Sequence, residues 1–201
     1  MTPAEDTSPR SQIEAATTRR VTIEGRLLRV CDGLFDAATI ARVDQLARGC
    51  HYTFDNADSP DDAAFNRRWR AEFDLEFCSR HAFFFQRVLE LLNEDGRARA
   101  LGLDRVYANV NAFGERFYPH TDGETGRAGL TALYYANARW EPGWGAPTIF
   151  YESGEPAYLV TPRPGRLLVF DAAITHCGAP PERVSPEPRW SIAFKMSERD
   201  A

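Results

Sequence analysis

The sequence predicts an α+β fold, a jelly roll or sandwich of short strands in the C-terminal half covered on one face by helices from the N-terminal half. Two changes of pattern carry this. After Gly102 apolar residues recur with period two over 106–113, 130–135, 148–151, 158–160, 166–170 and 189–195, with Gly, Pro, Asn and Asp in the gaps. Before Gly102 the spacing is mostly helical. The length, 201 residues, suits one domain with a substantial core, and neither an internal repeat nor a linker is visible.

Taken in order, residues 1–20 are polar and carry Pro3 and Pro9, so they are expected to form a mobile tail ahead of a single domain spanning 21–201. Residues 21–30 alternate well enough for a strand. From Asp36 to about Arg48, Ile40, Val43, Leu46 and Ala47 fall at helical spacing. The stretch 55–70, with four aspartates followed by Arg67, Arg68 and Arg70, lacks periodicity and is expected to be a loop, either solvated or a lid. Residues 80–94 then form a strongly apolar helix that ends near Gly96 and should pack on the sheet.

Composition narrows the partners. Hydrophobic residues at 43% and charged residues at 26% are ordinary globular values, and a net charge of -5 argues against nucleic acid or an anionic membrane as main partner. The N-terminus lacks the basic and apolar regions of a secretory signal, and no apolar run is long enough to span a bilayer, so a soluble, cytoplasmic protein is expected. Cys31, Cys50, Cys78 and Cys177 show no C-x-x-C pairing and read as packed or free thiols. Basic residues are nearly all arginine, Lys195 being the only lysine.

Four histidines are present, and two of them carry chemistry. His120-Thr121-Asp122 places its end side chains on one face if the segment is extended, because side chains there repeat every two residues. His176, beyond a later apolar run, would complete two histidines and one carboxylate. That set leaves coordination positions open and suits non-haem Fe(II) oxygenases. Arg189, at the head of the last strand, offers a planar fork for a carboxylate, and Tyr135 can add a phenolic hydrogen bond to it. Tyr107, Asn109 and Asn111 alternate onto one strand face. With Trp144, in a Gly- and Pro-containing turn, the two asparagines are the candidate substrate contacts.

Together the segments 113–123, 130–137, 144–150 and 164–170, then His176 and 189–192, resemble the 2-oxoglutarate and Fe(II)-dependent oxygenases, specifically the prolyl 4-hydroxylase-like branch. The resemblance covers about 105–197 and implies a double-stranded β-helix core. It also implies iron on His120, Asp122 and His176, and 2-oxoglutarate on Arg189 and Tyr135, with dioxygen as co-substrate and ascorbate as a supporting reductant. The implied reaction hydroxylates an unactivated C–H and decarboxylates 2-oxoglutarate to succinate and carbon dioxide. A small molecule, an amino acid or natural-product intermediate, is the expected substrate. The alternatives are a peptidyl side chain, a non-catalytic metal-binding jelly roll, or a hydrolase using the same triad. Two departures bear on the substrate: Gly145-Ala146-Pro147 stands where the family has Gly-Gly-Glu, and Asn111 where it often has tyrosine. Asp122 is kept, which favours oxygen transfer over halogenation.

Overall fold

The computed structural model describes residues 16–56, 67–93, 96, 98–115, 117–123 and 127–198. The first strands are β1 (Thr17–Ile23) and β2 (Arg26–Asp32), followed by α1 (Ala37–Arg48), β3 (Thr53–Asn56), β4 (Arg68–Phe73), α2 (Leu75–Arg80) and α3 (Ala82–Asn93). The second half is built of strands, with one 3-10 turn at Pro142–Trp144 among the described residues: β5 (Leu101–Asn111), β6 (Gly129–Tyr135), β7 (Thr148–Glu152), β8 (Glu155–Val160), β9 (Leu167–Asp171), β10 (His176–Gly178) and β11 (Arg189–Glu198). These make an eight-stranded antiparallel sheet, ordered β1-β2-β9-β6-β11-β5-β4-β3, and a three-stranded one, β10-β7-β8. The arrangement is the jelly-roll class read from the sequence.

Three boundaries differ from the sequence reading. Residues 21–30 are not one strand, because Glu24 and Gly25 both take positive φ (48° and 75°) and turn the chain into a tight hairpin. That hairpin also draws residues 17–20 of the expected tail into β1, while 1–15 lie outside the described residues. The expected loop 55–70 supplies the end of β3 and the start of β4, and 57–66 lie outside the described residues. In β4 the apolar Trp69, Ala71 and Phe73 are interleaved with Arg68, Arg70 and Glu72, a short alternation that a charged loop resembles. The apolar helix begins earlier, as α2, whose N-cap Asp74 accepts from Phe77 N at 2.7 Å, and the chain bends at His81 before α3.

Period-two alternation divides the large sheet into two faces. Ala132, Tyr134, Ile192, Phe194, Val106 and Ala108 point to the helices and form the main core with Val43, Phe84, Phe85 and Val88. Phe84 is fully buried, with its ring 4.8 Å from Tyr134 and 6.0 Å from Phe194, and its burial contributes about 2–3 kcal/mol. On the other face Leu28, Tyr135, Leu168 and Phe170 meet Phe150 of the small sheet in a second core. Arg166 ties β2 to the start of β9 through a forked pair with Asp32 at 2.7 and 2.8 Å. The four cysteines are free thiols.

Candidate active site

The open end of the space between the two sheets holds the triad. His176 heads β10 and exchanges backbone hydrogen bonds with His120, N to O, at 2.9 and 3.0 Å. This bridge brings together two histidines 56 positions apart, with ring centroids 4.6 Å from each other. Asp122 lies in a bend just beyond His120, where its own N–H and that of Gly123 both donate to Ala172 O, at 2.8 and 3.1 Å. The His-x-Asp segment is therefore extended only at His120, yet both end side chains reach the same point. One ligand atom from each of the three residues lies within 4.8 Å of the others.

Second partners fix which atoms face inward. The Nδ1 of His120 lies 2.9 Å from Tyr118 O and that of His176 lies 3.0 Å from Ile174 O. A carbonyl only accepts, so each Nδ1 carries the proton and each Nε2 presents a lone pair. Those Nε2 atoms sit 3.6 and 3.3 Å from the Asp122 carboxylate. Burial pushes the His176 imidazole down to about 4, which leaves it neutral at pH 7 as a metal ligand requires.

Asp122 is buried, and burial alone would raise its carboxyl. The charge of Lys195 holds it well below the usual carboxylate range. Its Oδ2 accepts from Thr131 Oγ1 at 2.7 Å and pairs with the Lys195 ammonium. With Oδ2 engaged twice, Oδ1 is the oxygen left to serve as a ligand. The donor set is thus two imidazoles and one carboxylate oxygen, converging and correctly protonated, and it fits a divalent iron.

The pocket beside the triad is lined by alternate residues of three strands: Arg68 on β4, Tyr107, Asn109 and Asn111 on β5, and Arg189, Ser191 and Lys195 on β11. Strand pairing sets Arg189 opposite Asn111 and Ser191 opposite Asn109. Arg189 is 4% exposed, and its Nη1 donates to Ala146 O at 3.0 Å. Its Nε is buried with no hydrogen-bond partner among the described residues. Burial lowers its pKa, partly offset by Tyr135 and Cys177, so it offers a dry, charged donor facing the pocket. A carboxylate of a dianionic co-substrate fits that donor.

A model of the 2OG-Fe(II) oxygenase superfamily matches residues 106–196, the stretch that holds every residue of the triad. Over that stretch, 91 of the 201 residues, the chain is similar to this superfamily. No curated protein matches the sequence. Among solved structures, a prolyl-4-hydroxylase of Pseudomonas putida shares 18% identity over 83% of this chain and 89% of that one, with a TM-score of 0.60. A prolyl hydroxylase of Trichoplax adhaerens, solved with a hypoxia inducible factor peptide, shares 18% identity over 81% and 78%, at 0.61. The epimerase SnoN, solved with Fe3+, α-ketoglutarate and nogalamycin RO, shares 16% over 85% and 78%, also at 0.61. At these identities the likeness is one of fold.

The matched family and the triad imply Fe(II) and 2-oxoglutarate. Arg189, Asn109 and Asn111 line one pocket with the two histidines, and Tyr135 lies behind its wall. The Tyr135 hydroxyl donates to Val160 O at 3.0 Å and shares a 2.7 Å hydrogen bond with Thr148 Oγ1, so Thr148 carries that polar network to the pocket surface. Trp144 does not line the pocket. It packs edge-on against Trp140 at 5.4 Å, with Arg139 over its ring. Sequence reasoning missed Arg68, Thr131 and Thr148, and gave Lys195 no role. The signal for Lys195 was visible, a lone lysine in a chain otherwise basic through arginine. Among the described residues no helix is long and apolar enough to cross a membrane.

Proposed function

We propose that this oxygenase hydroxylates an unactivated C–H, holding iron on His120, Asp122 and His176 and the distal carboxylate of 2-oxoglutarate on Arg189, with Thr148 and Tyr135 behind it. Iron and 2-oxoglutarate bound together supply dioxygen activation coupled to loss of carbon dioxide and formation of succinate. The single observation that carries the reading is the convergence of three protonation-ready ligand atoms beside a buried guanidinium. The chain's contribution is positional. The carbonyls of Tyr118 and Ile174 hold the imidazoles in one tautomer, and Lys195 with Thr131 orients the carboxylate. The sandwich wall of Phe150 and Phe170 keeps water from one side of His176.

Two substrate readings remain from the sequence. The prolyl hydroxylases among the fold neighbours favour a peptidyl side chain over the free small molecule expected first. The oxygenase reading itself is tested by adding Fe(II) and then 2-oxoglutarate to metal-free protein without oxygen. A visible charge-transfer band is expected, and succinate on admitting oxygen. Folded protein that gives neither is incompatible with it.

A further inference from the structure

Once the metal of the oxygenase reading is bound, and this inference rests on that reading, Asp122 meets two cations. One is the iron on Oδ1, and the other is the Lys195 ammonium, which pairs with Oδ2. A metal already answers the charge of the carboxylate that ligates it, so the second cation exceeds what a buried acid needs. The side chain of Lys195 is 16% exposed and that of Asp122 6%, so solvent screens the pair poorly. The ammonium is also fixed in place. It donates to Thr131 Oγ1 at 3.3 Å, that hydroxyl donates in turn to Asp122 Oδ2, and the Tyr107 ring centroid lies 5.8 Å from Nζ. Strands β5, β6 and β11 thus hold the one lysine of the chain against the outer oxygen of a metal ligand.

We propose that Lys195 biases the bound iron toward the ferrous state, acting through Asp122. With both imidazoles neutral, the triad and the ammonium together carry no net charge, so divalent iron brings the cluster to two positive charges and ferric iron to three. A neutral side chain in place of Lys195 would lower each total by one. Every added charge of one sign costs more to bury than the last, and oxidation is therefore harder with the ammonium present. The oxidation at issue passes one electron from Fe(II) to dioxygen, giving Fe(III) and superoxide, and the chain gains and loses no atom. It drains active enzyme whenever no substrate is bound. A charge seated on the ligand opposes it without touching substrate or co-substrate, which makes Lys195 a positioning residue whose effect is electrostatic.

The test is a redox titration of the full chain loaded with iron, with ferric iron read by electron paramagnetic resonance. Lys195→Gln keeps a hydrogen-bond donor for Oδ2 without the charge, Lys195→Arg keeps the charge, and Thr131→Val removes the neutral donor alone. At a fixed potential the ratio of ferric to ferrous iron should rise at least about tenfold in Lys195→Gln, a fall of about 59 mV for one electron. In the other two variants it should stay within about threefold. A lysine that merely balances a buried acid predicts a different result, a lower melting temperature in Lys195→Gln with or without metal. Here that loss should appear in the metal-free form and be restored by Zn(II). The proposal is overturned if the ratio in Lys195→Gln is unchanged or falls, or if Thr131→Val or Lys195→Arg raises it as much. It is equally overturned if Lys195→Gln stays unfolded with Zn(II) supplied, since the ammonium would then be a structural counter-charge. A normal charge-transfer band in a protein whose potential ignores Lys195 removes this proposal and leaves the oxygenase reading standing.

Discussion

The two faces of the large sheet are built by the same strands and have opposite chemistry. Toward the helices β5, β6 and β11 present Val106, Ala108, Ala132, Tyr134, Ile192 and Phe194, all buried. Toward the small sheet the intervening residues at the open end are Tyr107, Asn109, Asn111, Thr131, Arg189, Ser191 and Lys195. One alternation therefore makes both core and site, and a residue's parity along the strand decides which it serves. The polar face is stable only because its groups answer one another or face the pocket, as Lys195 answers Asp122. Substitutions on the helix side should cost stability and spare the chemistry, and substitutions on the pocket side should do the reverse.

The largest break is expected from His176→Ala. Removing a mere outer partner of a ligand costs about 10–100-fold in metal affinity, so losing the ligand itself should exceed that. Iron affinity by calorimetry should fall at least about 100-fold and succinate formation below detection, with the melting temperature of the metal-free protein changed little. A metal-free protein that melts far lower would mean that the pocket face is also a structural core, and the contrast between the faces would fail.

Phe84→Ala tests the other side. Its ring touches Phe35, Phe85, Tyr134 and Phe194 and has no contact with the pocket lining. Truncation should destabilise the fold by about 3–5 kcal/mol, from lost burial and the cavity left behind. Denaturant unfolding measures this. The fraction that remains folded should keep the affinity of the parent for 2-oxoglutarate, and a matching loss of that affinity would show that the two faces are coupled.

How much of this was legible in the sequence follows the same division. Strands β5, β6, β9 and β11 were readable because their helix-side residues are apolar at every second position, and His120, Asp122, His176 and Arg189 because their order and residue types are specific. Arg68 was hidden. In β4 the charged Arg68, Arg70 and Glu72 alternate with Trp69, Ala71 and Phe73, but three apolar residues between charges look like a solvated loop until a partner strand is known. Trp144 misled for the opposite reason. An aromatic in a glycine-rich turn looks like a ligand contact, yet here it has an aromatic neighbour in the same turn to pack against. The Glu24-Gly25 hairpin was missed because only glycine signalled the turn, the other position of positive φ being filled by glutamate.

The smallest effect and the finest test of parity is Gly178→Ala. Gly178 ends β10, directly across the pocket from β11, and a Cβ added there would collide with Nη2 of Arg189 and come within 3.3 Å of Cζ and Nη1. The guanidinium is the far end of a flexible side chain, but it is buried and its Nη1 is tied to Ala146 O, so it has little room to yield. The metal ligands do not touch this contact. The affinity for 2-oxoglutarate should therefore weaken about tenfold, the scale of a displaced charge-assisted hydrogen bond, with iron affinity and melting temperature close to those of the parent. Anaerobic titration of the iron-loaded variant separates these quantities. An unchanged 2-oxoglutarate affinity would mean that Arg189 moves aside without loss, and its role in holding the co-substrate would have to be given to another cation of the same face.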